Sequence, residues 1–147
     1  MRRIAIVGCS KNKAPCSLAQ AQVMYESDLT GLFHYSMEYA KRFCDGWYIL
    51  SALYGVLRPE DWIERYDLSV RDLRGSLRTD WVKRCQPMLR RIEQEEPTTF
   101  VVLAGGDYLP AVLGNQKEWR QNVETPLAGL GIGERIAWLK KRVEEQP

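Results

Sequence analysis

Apolar residues gather in three short uninterrupted runs, at positions 4–7, 47–50 and 100–103. Each run stops abruptly at small or reactive residues: Gly8-Cys9-Ser10, Ser51-Ala52 and Ala104-Gly105-Gly106. Continuous Val/Ile/Leu runs mark strands covered on both faces, as in parallel sheets. Between the runs the apolar period lengthens to that of a helix. Leu29, Leu32, Phe33, Met37, Ala40 and Phe43 form one stripe, on a helix predicted to begin near Asp28, a capping residue type, and to end at Asp45-Gly46. Trp81, Val82, Cys85, Met88, Leu89 and Ile92 form another, on a helix over 77–95 that Pro87 kinks or interrupts. A short helical piece at 108–113 follows the third run, and a final helix turns Ile136, Leu139 and Val143 inward with Lys140, Lys141 and Arg142 partly outward. Residues 10–27 read as a polar connection. Residues 53–77 read as a connection long enough to be functional or to hold short elements of its own.

The order β-α-β-α-β-α predicts an α/β fold: a single-domain layered sandwich over residues 1–147, with a mostly parallel central sheet flanked by helices and right-handed crossovers. In open α/β sheets ligands settle beyond the carboxyl ends of the strands. Chemistry is therefore expected at residues 9–13, 51–55 and 105–108.

Composition narrows the function classes. The chain has 147 residues, 45% of them hydrophobic and 27% charged, and no apolar run approaches the roughly 20 residues of a membrane helix. No membrane association is expected. Met1-Arg2-Arg3 leads straight into the first strand without an apolar leader, which predicts a cytoplasmic location. A net charge of +2 permits a nucleic-acid partner without requiring one. Lys11, Lys13, Arg84, Arg90 and Arg91 could form a basic patch, and Lys140, Lys141 and Arg142 a solvated helix face. The four cysteines, Cys9, Cys16, Cys44 and Cys85, contain no C-x-x-C pair and read as reduced thiols. With one histidine, His34, inside the first helix, a histidine-based metal site is disfavoured, and no cofactor is expected.

Several residues carry candidate chemistry. In Gly8-Cys9-Ser10-Lys11-Asn12-Lys13 a thiol, a hydroxyl and two ammonium groups follow a strand, a setting that lowers a thiol pKa or holds an anion. Ser51 and Tyr54 follow the second strand, and Tyr66-Asp67 lies in the long connection, offering aromatic faces for bases and a carboxylate to orient water. Gly105, Gly106 and Tyr108 follow the third strand. Gly129-x-Gly131-x-Gly133 opens the last helix, where free backbone donors suit an anion, although the dinucleotide spacing is missing.

Taken together, Val7-Gly8-Cys9-Ser10-Lys11-Asn12-Lys13, Met24-Tyr25-Glu26-Ser27, Leu50-Ser51-Ala52-Leu53-Tyr54-Gly55, Tyr66-Asp67, Ala104-Gly105-Gly106-Asp107-Tyr108 and Gly129-Leu130-Gly131-Ile132-Gly133-Glu134 resemble a domain family of unknown function. Members of that family are often labelled relatives of the peroxide stress protein YaaA. Its C-x-x-x-K spacing is kept by Cys9 and Lys13 and its loop tyrosine by Tyr25. Its Ala-x-His/Tyr-Gly turn takes the tyrosine form at Tyr54, so a histidine acid or base there is missing. The resemblance implies a fold related to base-recognising proteins of the uracil-DNA glycosylase group and a role in DNA or modified-base metabolism. It further implies that Tyr25 or Tyr54 stacks a base, Asp67 handles water and Lys13 holds phosphate.

The leading expectation is an enzyme directed at a nucleobase, nucleotide or nucleic acid that cleaves or exchanges an N-glycosidic bond. Cys9, Lys13 and Asp67 are its catalytic candidates. Ser10, Tyr25, Ser51, Tyr54, Gly105, Gly106, Tyr108, Gly131 and Gly133 are its binding candidates. The rival expectations are a non-catalytic nucleotide- or DNA-binding module in a stress response and a Cys9-dependent thiol enzyme.

Overall fold

The computed structural model describes residues 1–114 and 122–145. The first apolar run lies in β1 (Arg2–Gly8), the central strand. Short elements then fill the stretch expected to be a plain connection: β2 (Leu18–Gln20) and α1 (Ala21–Met24). After α2 (Leu32–Phe43) comes β3 (Gly46–Ser51), and the long connection holds β4 (Gly55–Leu57), β5 (Trp62–Glu64) and a 3-10 turn at Val70–Asp72. Helix α3 (Ser76–Glu95), β6 (Thr98–Leu103), α4 (Leu109–Leu113), β7 (Val123–Glu124) and α5 (Ile132–Glu145) complete the described chain.

The main sheet runs β4-β3-β1-β6-β7. β1 pairs in parallel with β3 and β6, β6 in parallel with β7, and β4 lies antiparallel on the β3 edge. The layered α/β expectation therefore holds. Side chains two apart on a strand share a face, and the core divides accordingly. Ala5, Val7, Ile49, Val101 and Leu103 pack under α2 and α5, through Phe33, Met37, Ala40, Leu139 and Val143. Ile4, Ile6, Leu50, Phe100 and Val102 pack on the other face against Trp81, Cys85, Leu89 and Ile92 of α3 and Ala111 and Val112 of α4. The crossover from β1 to β3 runs one way across the sheet and that from β3 to β6 returns past β1. Crossovers of one hand travelling in opposite directions must lie on opposite faces, as α2 and α3 do.

Two helix expectations need correction. Leu29 was expected in the buried stripe, yet it is 67% exposed because α2 starts three residues later. Asp28 spends its carboxylate on the Thr30 amide and hydroxyl, at 2.9 and 2.7 Å, which closes a local turn instead of capping the helix. Helix α3 continues through Pro87, which sits on its exposed side, so the proline does not interrupt it. Cys85, fully buried in α3, is a packing residue, and burial pushes its thiol up to about 12.

These placements predict opposite outcomes for two leucines. Leu89→Ala, at a fully buried position, should cost about 2–5 kcal/mol in urea unfolding. Leu29→Ala should stay within about 0.5 kcal/mol of the parent, and a loss comparable to that at Leu89 would put Leu29 back in the core.

Candidate functional site

The carboxyl ends of β1, β3 and β6 do converge, but on packed side chains and not on an empty hollow. A Cβ on Gly8 would stand 3.0 Å from both the Tyr108 ring and the Ala104 Cβ, so the glycine is what lets Tyr108 lie across the end of β1. From there the Tyr108 hydroxyl donates to the Cys9 carbonyl at 2.8 Å and stands 3.3 Å from Cys9 Sγ. A phenol has one proton; with that proton on the carbonyl, the thiol is the donor in the second contact. The Cys9 side chain thus rests against the Tyr108 hydroxyl.

Ser51, fully buried at the end of β3, is the junction of the site. Its Oγ accepts from the Tyr25 hydroxyl at 2.9 Å and from the Tyr54 amide at 3.0 Å, and it meets the Tyr66 hydroxyl at 2.9 Å. Tyr25 and Tyr66 meet each other at 2.7 Å. A circular order, Tyr25 to Ser51 to Tyr66 to Tyr25, uses every hydroxyl proton once and leaves each oxygen satisfied. The Ser51 carbonyl is also taken, by the Trp81 indole at 2.9 Å. Tyr25, Ser51 and Tyr66 therefore form one closed hydrogen-bonded chain at the strand ends, and the Cys9–Tyr108 contact is a separate link beside it.

Burial keeps this chain neutral. It raises Tyr25 and Tyr108 well above an ordinary phenol and Tyr66 to about 12; Cys9 adds to the effect at all three, and the Ser51 hydrogen bond opposes it at Tyr25 and Tyr66.

The open space lies one layer beyond, where the 53–77 connection faces the turn after β1. One lobe, of about 270 Å³, is lined by Lys11, Asn12, Lys13, Arg65, Tyr66 and Asp67. A second groove, of about 680 Å³, shares Arg65, Tyr66 and Asp67 and continues along residues 15–18 and Glu64. Both are shaped by the small β2–β5 sheet, in which Leu18 pairs with Glu64, and by the Arg65 amide donating to the Ser17 carbonyl at 3.0 Å. On the opposite wall the turn is tied down by Ser10 Oγ, which lies 2.7 Å from the Asn12 carbonyl and 2.8 Å from that of Tyr25.

Lys13 is the most unusual side chain here. It is 7% exposed, its Nζ donates to the Lys11 carbonyl at 3.1 Å, and it sits 4.3 Å from the centre of the Tyr66 ring. Burial lowers its pKa; Cys9 and Asp67 oppose that lowering and Arg65 adds to it.

The expected residues divide into three groups. Lys13 and Asp67 line the cleft, whereas Ser10, Tyr25, Ser51, Cys9 and Tyr108 form its packed floor. Tyr25 is 1% exposed and has no face open to a base. Tyr54 meets Tyr66 edge-on at 5.6 Å between ring centres and holds the Glu64 backbone through its hydroxyl, so it buttresses the wall. Gly105 stands beside Arg135 of α5, whose Nη1 would be 2.9 Å from a Cβ at Gly105, and Gly106 meets nothing within 4 Å of its Cβ direction. At the start of α5 the Gly131 amide already donates to Glu134 at 3.1 Å, so the helix supplies its own anion. Gly133 meets nothing within 4 Å of its Cβ direction. His34 is engaged with Glu26 at 2.7 Å. Arg84 is committed to the Leu53 carbonyl at 2.8 Å and is not part of the basic wall. Arg65 was the lining residue unmarked in the sequence; its place next to Tyr66-Asp67 in a long connection was the available signal.

The chain matches a family of unknown function, DUF6884, over residues 4–141, and it belongs to that family. It is also 33% identical to the uncharacterized protein YfjM of Bacillus subtilis (strain 168), over 99% of this chain and 98% of that protein. No described helix is long and apolar enough to cross a membrane.

The neutral tyrosine chain has a definite alkaline signature. A phenol whose folded pKa is raised contributes stability that is complete below the unfolded value of 10.0 and disappears as pH climbs through the folded value, about 12 for Tyr66. In a spectrophotometric titration the triple variant Tyr25→Phe, Tyr66→Phe and Tyr108→Phe should show the same tyrosinate absorbance as the parent at about pH 11 while both remain folded. A clear drop in the variant would mean that these phenols ionise normally.

Proposed function

We propose that this member of the DUF6884 family is an enzyme that cleaves the N-glycosidic bond of a nucleotide, free or within nucleic acid, in the cleft built around Tyr66 and Asp67. The observation that carries this reading is the sharing of Tyr66 and Asp67 by both lobes, with Lys11, Lys13 and Arg65 gathered on one of them. An aromatic face, a carboxylate and a cationic wall are the components such a reaction needs side by side. As the bond to the base breaks, positive charge develops at C1′ of the sugar, and a fixed carboxylate stabilises it. Asp67 supplies that charge and accepts the proton of the attacking group.

Lys11 and Arg65, both exposed at the mouth, meet the substrate phosphate by charge-assisted hydrogen bonds. The 680 Å³ groove falls within the range of small-molecule sites and has room for a base and its sugar. Cys9 packs against Tyr108 and does not attack: its thiol meets the Tyr108 hydroxyl at 3.3 Å, which is not a base that could take its proton. The resemblance to the YaaA-labelled domain family, and through it to base-recognising proteins, supports the same reading.

The test is release of free base, followed by mass spectrometry, from a panel of nucleotides and oligonucleotides carrying canonical and deaminated bases. The wild-type protein should release at least one base. Asp67→Asn should slow release by roughly 100-fold or more while leaving substrate affinity within about threefold. Tight binding with no base released from any member of the panel would contradict the reading in favour of a binding module.

A further inference from the structure

We propose that the Lys13 amine is the attacking group in this cleft and forms an imine with C1′ of the substrate's sugar. The inference rests on the glycosidic reading and names the nucleophile that reading leaves open. Its basis is the seat of one side chain. Lys13 is almost wholly withdrawn from water, yet it lines the lobe that contains Asp67. Among the described residues no carboxylate makes an ion pair with it. A buried ammonium with no ion-paired carboxylate is poorly solvated, which favours loss of its proton and an available lone pair.

Two contacts fix the nitrogen: the Lys11 carbonyl takes one N–H at 3.1 Å, and the centre of the Tyr66 ring stands 4.3 Å away. Arg65, on the same lobe, disfavours a second positive charge. Loss of solvent around Nζ outweighs the opposing pull of Cys9 and Asp67 and lowers its pKa.

The step balances without an oxidant or reductant. The Nζ lone pair forms a bond to C1′ as the bond from C1′ to the base nitrogen breaks, and the base departs with that electron pair. Nζ gives up one proton to Asp67, which passes it to the departing base. The nitrogen lone pair then forms the C=N bond while the C1′–O4′ bond opens, and the second Nζ proton passes to O4′. Water adds to the imine, returning the free amine and leaving the sugar as its aldehyde. The net change is substrate plus water to base plus sugar.

The experiment is reductive trapping with sodium borohydride, which converts the imine to a stable amine. Two probes present the C1′ aldehyde: an oligonucleotide with a single abasic site and ribose 5-phosphate, for polymeric and free substrates. The wild-type protein should give a one-to-one adduct with at least one probe, mapped to Lys13 by peptide mass analysis. Lys13→Arg, which keeps a long basic side chain but forms no imine, and Lys13→Met should each lose the adduct by about tenfold or more. The exposed-lysine variant Lys140→Met should retain it. Absence of the adduct with both probes, or an undiminished adduct in the two Lys13 variants, overturns the inference. Base release without an adduct overturns it too but leaves the cleavage reading standing. An adduct on Lys13 without release of any base supports the amine assignment and counts against cleavage.

Discussion

The geometry of the cleft depends on one buried hydroxyl. Ser51 ends a core strand, and its oxygen receives a phenol and a backbone amide while it meets a second phenol. That arrangement ties the 53–77 connection to the sheet from two sides, through Tyr54 near its start and Tyr66 farther on. Removing one partner from a buried hydrogen-bonded set costs about 1–3 kcal/mol for each group left unsatisfied. Here three groups converge on the same oxygen, so a change of a few atoms at Ser51 acts on the entire wall.

What the junction positions is a contrast of charge. Behind Tyr66 lies a packed layer of hydroxyls that burial keeps neutral; in front of it lie Lys11, Lys13, Arg65 and Asp67. Tyr66 separates the two regions, its hydroxyl in the packed layer and its ring against the Lys13 amine at 4.3 Å. The residues after the strands thus serve as a foundation, and the reactive groups stand on the loops that the foundation orients. Tyr108 and Gly8 have the same relation on the β6 side, where close packing fills the crevice that a parallel sheet would otherwise leave open.

Much of the fold was legible because it follows from continuous apolar runs and helical stripes. The β1 and β6 runs stand in the fully covered part of the sheet, and residues at alternate positions divide between the two cores. The errors lie where local hydrogen bonding overrides periodicity, as at Asp28, or where elements of three or four residues, such as β2, β5 and α1, lack a period to detect. The candidate site was legible in part. Residue types at strand ends told which side chains would meet, but not whether they would enclose a space or fill it. Tyr25, Ser51 and Tyr108 fill it, since aromatic rings large enough to bind a base are also large enough to pack. Arg65 and Arg135 gave little sign of themselves, because an arginine's destination is set by tertiary packing and its own neighbours in sequence reveal little.

Amide hydrogen exchange on Ser51→Ala, compared with the wild-type protein, tests the junction most directly. With the oxygen gone, peptides covering residues 53–69 should exchange markedly faster, while those covering β1 and β6 keep their protection. Unchanged exchange over 53–69, or equal acceleration throughout the sheet, would contradict the claim that this hydroxyl holds the wall of the cleft.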